Sequence, residues 1–345
     1  MKITDLYAAG TSTWLDDLSR AALTTTLPER IARKEVFGVT TNPAIFQAAI
    51  TKDPSYKSAI EANKHLSAEE IVEKLTTEDV RDACKLFREI YEVTGGIDGR
   101  VSIEVDPRLA HDTKRTIEQA ERLWKIVDQP NLMIKIPATR AGLPAITEVI
   151  ASGISVNVTL IFSLSRYAEV IDAYQAGIEK CKDPSKVHSV ASFFVSRLDA
   201  AVDKQLTNPS HEHLKGRAAV ANARMAYELY LGKFKNFKFN HQRPLWASTG
   251  VKDPAYRSTM YVDTLIAPNT VNTMPPATLD AVIAAVIEAK DTITSNIKSA
   301  SEELLELAKA GIDLAAVTDH LEADGVEKFM SSWESLLAEV EHAKQ

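Results

Sequence analysis

The segment Asn131-Leu132-Met133-Ile134-Lys135-Ile136-Pro137 places a lysine inside a short apolar run closed by proline. A run this brief, with no polar face alternating against an apolar one, predicts a strand covered on both sides, as in a parallel sheet. Working outward in both directions, comparable runs recur between longer segments whose apolar residues have helical spacing. Strands are predicted at Ser12 to Leu15, Val36 to Thr41, Arg100 to Val105, Asn131 to Pro137, Ser155 to Phe162, His188 to Val195, Pro244 to Thr249 and Thr264 to Pro268. Strict alternation with helices, and the lack of a glycine-rich dinucleotide fingerprint, favour an α/β fold of the (β/α)8 barrel type with additional helices over an open doubly wound sheet. The functional residues of such a barrel stand at the C-terminal ends of its strands.

The intervening segments support this pattern. From Ser67 to Thr94 a capping box, Ser67 with Glu70, precedes a stripe of Val80, Ala83, Cys84, Phe87 and Tyr91, and Gly95-Gly96 stops the helix. Thr113 to Val127 turns Ile117, Ala120, Trp124 and Val127 inward, and the tail from Leu314 to Val340 does the same with Trp333, Leu336, Leu337 and Val340. No linker or internal repeat divides the chain, so residues 1–345 are expected to form one barrel domain.

With 345 residues, 45% of them apolar, and a net charge of -7, the chain can bury a large core but lacks the basic stripe of a nucleic-acid-binding surface. Cys84 and Cys181 have neither disulfide-framework nor metal spacing, which suggests reduced thiols in the cytoplasm. The start Met1-Lys2-Ile3-Thr4-Asp5 has an acid where a secretory apolar region would begin, and no apolar run reaches membrane-spanning length, so no membrane partner is expected. Monomer and homodimer both remain open.

At the strand ends, Lys135 is either the partner of a barrel carboxylate or a nucleophile. An amine must be neutral to attack a carbonyl, and Met133, Ile134 and Ile136 favour the neutral form. Asp16, after Trp14-Leu15, and Glu104, in Val101-Ser102-Ile103-Glu104-Val105-Asp106, either neutralise cations or supply the proton transfers that imine chemistry needs. Asp106 and Asp17 are weaker candidates, Asp17 being equally a cap for the next helix. Thr40, Thr41 and Asn42 before Pro43, and Asn157 and Thr159 within Ser155-Val156-Asn157-Val158-Thr159, can hold hydroxyls or satisfy backbone groups. Asn157 and Thr159 share a face, which suggests a site inside the barrel. Ser192-Phe193-Phe194-Val195-Ser196-Arg197 and Ala247-Ser248-Thr249-Gly250-Val251-Lys252 end late strands, where phosphate is commonly bound. The alternative for Arg197 is an ion pair with Asp199 or a surface acid. His211-Glu212-His213 has no clear third ligand and reads as a solvated turn, so no metal is expected. Trp124, Trp246 and Trp333 read as core or interface residues.

Over nearly its whole length the sequence resembles the transaldolase family. Gly38-Val39-Thr40-Thr41-Asn42-Pro43 is similar to the family's N-terminal signature, and Leu132-Met133-Ile134-Lys135-Ile136-Pro137 to its Schiff-base strand. Trp14-Leu15-Asp16-Asp17, Asn157-Val158-Thr159-Leu160-Ile161-Phe162 and Gly311-Ile312-Asp313-Leu314 add to the likeness. The resemblance implies a cofactor-free class I aldolase-type barrel of the pentose phosphate pathway. Its reaction moves a dihydroxyacetone unit from sedoheptulose 7-phosphate or fructose 6-phosphate to glyceraldehyde 3-phosphate or erythrose 4-phosphate. Lys135 would then form the Schiff base, Asp16 would take the proton released on carbon–carbon cleavage, and Glu104 with Thr159 would handle the water of imine formation. Asn42 and Asn157 would hold the dihydroxyacetone hydroxyls. Ser192, Arg197 and Ser248 would bind phosphate, with Phe194 shaping the site. Many relatives carry a second arginine after the seventh-strand serine; here Thr249-Gly250-Val251 follows Ser248, and Lys252 is the available replacement, as a point charge. Other readings are a class I sugar-phosphate aldolase that releases free dihydroxyacetone, and a non-catalytic sugar-phosphate-binding barrel.

Overall fold

The computed structural model describes residues 3–344, so Met1 and Lys2 of the N-terminal reading, and Gln345, lie outside the described residues. Strands β1 (Thr11–Leu15), β2 (Gly38–Val39), β3 (Arg100–Glu104), β4 (Leu132–Pro137), β5 (Val156–Ile161), β6 (Ser189–Phe194), β7 (Gln242–Ala247) and β8 (Thr270–Met274) close in sequence order into a parallel barrel. It is the (β/α)8 architecture that the alternation of runs predicts. β2 is shorter than the apolar run Val36 to Thr41, because only its centre forms ladder pairs; single bonds from Phe37 N to Thr13 O and from Thr40 N to Leu15 O continue it on either side.

One strand is elsewhere than predicted. Thr264 to Pro268 is not β8. Leu265, Ile266 and Ala267 are buried, yet their backbone groups bond to side chains: Leu265 O accepts from Trp246 Nε1, Ile266 N donates to Thr292 Oγ1 and Ala267 N donates to Thr11 Oγ1. After Pro268 the chain turns at Asn269, with φ +59°, and Thr270–Met274 pairs with β1 along five residues. Only Val271 and Met274 of the true strand's five residues are apolar, which lowers its apolar signal below that of the loop before it.

The helix Ala68–Leu86 starts at Ser67 with the capping box complete, Ser67 N donating to Glu70 Oε2 at 2.9 Å. The helix Thr113–Val127 matches its predicted bounds, although Leu123 and Thr116, rather than Ile117 and Trp124, join Ala120 and Val127 as its buried residues. At the N-terminal end of the barrel Asp98 accepts from Ser12 Oγ (2.8 Å) and Trp14 Nε1 (3.1 Å), and pairs with Arg243 at 2.9 Å. The indole of Trp14 then fills the interior. A Cβ on Gly38 would stand 2.7 Å from that ring and 2.9 Å from Arg100 O, so only glycine fits there. Trp14 thus stands between a cleft at this end, bordered by Met133, Val190 and Arg243, and the C-terminal end of the barrel.

The helix Leu314–Ala343 packs against the helix Pro43–Lys52 and across the end of β5. Gly325 permits the approach: a Cβ there would lie 3.0 Å from Leu160 Cδ2 and 3.7 Å from Arg197 Nη1. Leu160 itself is left-handed, φ +60°, where the β5–β6 register shifts between Val158 and Ile161. Such an irregularity re-aims side chains at a strand end, here directly after Thr159. No helix of the described residues is long and apolar enough to cross a membrane, and both cysteines are unpaired.

Candidate active site

Lys135 lies inside the barrel on β4, 4% exposed, with its Nζ donating to Thr41 O at 2.9 Å and standing 3.2 Å from Glu104 Oε2. Parallel pairing sets this contact, because Glu104 and Lys135 are direct register partners, as are Lys135 and Asn157. Burial pushes the Glu104 carboxyl up to about 7, with Lys135 acting against the rise. Burial also raises Asp16, opposed by the charge of Lys135, a 2.6 Å bond from Thr40 Oγ1, and the charges of Arg197 and Lys252. Thr40 Oγ1 stands 2.6 Å from Thr273 Oγ1 on β8.

Lys135, Asp16 and Thr40 border a cavity of about 650 Å³, counting the space open to solvent. Lys135, Asp16, Thr40, Asn42 and Thr159 line one part, and Ser192, Phe194, Arg197, Ser248 and Lys252 the other. Asn42 caps the helix Pro43–Lys52, its Oδ1 accepting from Ile45 N at 3.1 Å, so the amide nitrogen is its donor toward the cavity. Thr159 Oγ1 and Arg197 Nη1 are buried without a hydrogen-bond partner among the described residues, which marks both as groups awaiting a ligand or water. Asp199 does not pair with Arg197; it accepts from Ala219 N (2.8 Å) and Tyr261 Oη (2.7 Å). The Arg197 guanidinium instead sits 5.3 Å from the Phe194 ring centroid. Ser248 has φ +54°, and its carbonyl accepts from Ser196 N while the two hydroxyls stand 3.0 Å apart.

Two expected residues do not line this cavity. Asn157 is fully buried, accepting from Ser192 Oγ at 2.7 Å and donating to Ser102 Oγ at 3.1 Å, and does not line the cavity. Glu104 faces Lys135 from behind and borders a second space, about 570 Å³, that lies between β3 and the surrounding helices and shares Asn42 with the first. Asp106 is taken up by Arg108, whose Nη2 is 2.7 Å from it, and Asp17 caps nothing, since Ser19 is the cap of the helix Arg20–Thr24. His211-Glu212-His213 lies on the outer turn Pro209–Leu214. Trp246 is core, and Trp333 borders the second space.

Sequence reasoning missed Thr273, because β8 was misplaced, and Phe329, whose ring centroid is 5.5 Å from Lys135 Nζ. Gly325, one turn earlier in the same helix, is the sequence signal for that close approach.

The family model described as Transaldolase/Fructose-6-phosphate aldolase matches residues 13–340. The chain belongs to this transaldolase/fructose-6-phosphate aldolase family. Among its relatives, Transaldolase 1 of Streptomyces coelicolor is 53% identical over 96% of this chain and 92% of its own length. Transaldolase of Mycolicibacterium smegmatis is 54% identical over 96% and 94%, and Transaldolase of Mycolicibacterium paratuberculosis 53% over 97% and 95%. Lys135 stands on the barrel's fourth strand.

Proposed function

We propose that this chain is a transaldolase, one cytoplasmic barrel domain that moves a dihydroxyacetone unit from sedoheptulose 7-phosphate or fructose 6-phosphate to glyceraldehyde 3-phosphate or erythrose 4-phosphate. The observation that carries the reading is the Lys135 amine, buried beside Glu104 and opening on a cavity that holds Asp16 on one side and Arg197 on the other. Neutral Nζ adds to the donor's ketone carbon. Glu104, with its carboxyl near neutrality, gives a proton to the departing hydroxyl so that water leaves and an iminium forms, Thr159 Oγ1 holding that water. Asp16 then removes the proton of the hydroxyl two carbons from the imine carbon. The bond joining that hydroxyl's carbon to the carbon next to the imine breaks, its electron pair entering the iminium to give an enamine on Lys135. The aldehyde fragment leaves.

An acceptor aldehyde takes its place, the enamine attacks it, and Asp16 returns the proton. Water at Glu104 then hydrolyses the new imine. The buried position of Asp16 suits this part, since a carboxyl raised by burial both accepts and releases a proton readily. Arg197, Lys252, Ser248 and Ser192 hold the phosphate, and Asn42 the hydroxyls near Lys135.

Borohydride reduction in the presence of fructose 6-phosphate, followed by peptide mass spectrometry, should leave a three-carbon adduct on Lys135. No adduct, or an adduct on another lysine, would overturn the assignment. Product analysis without an acceptor separates the two activities of the family: steady release of free dihydroxyacetone would assign the aldolase.

A further inference from the structure

Asp203 follows the helix Ser196–Val202, at the opposite end from Ser196 and Arg197, and its two carboxylate oxygens tie down separate segments. Oδ1 accepts from Gly216 N at 3.0 Å, and Oδ2 accepts from Tyr256 Oη at 2.7 Å. Gly216 has φ +70°, and a Cβ there would meet Tyr256 Cζ at 2.8 Å, so the phenol ring presses against bare backbone. Tyr256 closes a turn in which its N–H donates to Asp253 O (3.1 Å) and Ala255 N donates to Asp253 Oδ1 (2.9 Å). Lys252 immediately precedes that turn. It stands on the wall between the reaction cavity and an outer cleft lined by Ser196, Asp203 and Tyr256. One carboxylate therefore couples the element that carries Arg197 to the loop that carries Lys252.

A lysine on an exposed loop loses electrostatic effect if its backbone wanders, because its stem adds four rotatable bonds to any loop motion. We propose that the Asp203–Tyr256 bond is a positioning device for the donor's phosphate: it locks the loop 252–256 against the helix bearing Arg197, so that Lys252 supplies the second cation. Tyr256 and Asp203 touch no substrate. The proposal rests on the reading of the cavity as a sugar-phosphate site.

The test is a double-mutant cycle with Tyr256→Phe and Lys252→Gln, read as kcat and KM for fructose 6-phosphate at low and high salt. Phenylalanine keeps the ring against Gly216 and removes only the hydroxyl. Tyr256→Phe should raise KM about three- to ten-fold, hold kcat within about two-fold and weaken the salt dependence of KM. In the Lys252→Gln background the same change should leave KM where Lys252→Gln alone put it. An unchanged KM in Tyr256→Phe, or an equal rise in both backgrounds, overturns the proposal. So does an unchanged KM in Lys252→Gln; if Arg197→Ala still raises KM, the cavity's phosphate reading survives that failure. Loss of the borohydride adduct from the parent protein would remove both.

Discussion

Lys135→Met removes the amine while keeping an unbranched side chain of similar length, and its effect on stability can be worked from Glu104. The folded carboxyl stands at about 7, against an unfolded value of about 4.3. Between those values the folded chain binds one proton more than the unfolded chain, so stability falls as pH rises through the window, by about 1.4 kcal/mol per pH unit. In the parent that fall ends near pH 7. Lys135 holds Glu104 down, so its loss moves the carboxyl above 7 and extends the fall; Asp16, which also loses the field of Lys135, moves the same way. Unfolding curves of parent and variant should therefore separate as pH rises, the variant losing up to about 1.4 kcal/mol more per unit for each carboxyl that is still protonated in its folded state. Denaturant unfolding followed by the fluorescence of buried Trp14 and Trp246, from about pH 6 to about pH 9, measures this, alongside turnover and the borohydride adduct. Turnover and adduct should both vanish. Retained turnover refutes the nucleophile, and parallel curves through pH 9 refute the electrostatic coupling to Glu104.

Asp16→Asn should lower kcat by about 10²- to 10⁴-fold while the reduced adduct on Lys135, now carrying the whole donor, still forms; full kcat would dismiss Asp16 as the base. Arg197→Ala should raise KM for phosphorylated donors roughly ten-fold or more with little change in kcat, as expected for a lost charged hydrogen bond, and an unchanged KM would remove it from the phosphate site. Gly38→Ala should lower the melting temperature by forcing a methyl against Trp14 and Arg100 O, at a cost of about 1–3 kcal/mol; an unshifted melt would show that the Trp14 ring can move.

Strands β3 to β6 were legible because each sets β-branched or apolar residues, continuous in β4 and interleaved with polar ones in β3 and β5, between segments of helical spacing, and the lysine in one of them pointed to chemistry. β8 was not legible. Its Thr273 hydroxyl bonds to Thr40 at the cavity, while Thr270 and Asn272 bond to Ala267 O and Tyr261 O, so polar residues break the hydrophobic pattern on both faces. The site was readable where a residue follows a strand within the same run, as Asp16, Asn42, Arg197 and Ser248 do. Asn157 could be placed on the inner face by its period, but only the Ser102 and Ser192 bonds reveal that its amide is taken up beside Lys135 instead of lining the cavity. Phe329 reaches the lysine from another layer of the fold, a contact that no local spacing encodes.

The helix Leu314–Ala343 lies downstream of every barrel strand, the last of which ends at Met274, yet it supplies Phe329 over Lys135 and, through Gly325, the close wall beside Arg197. None of the strand-to-strand ladders that close the sheet involves this helix, so the frame of the barrel and the cover of its lysine are separate parts of the fold, joined only where the helix docks.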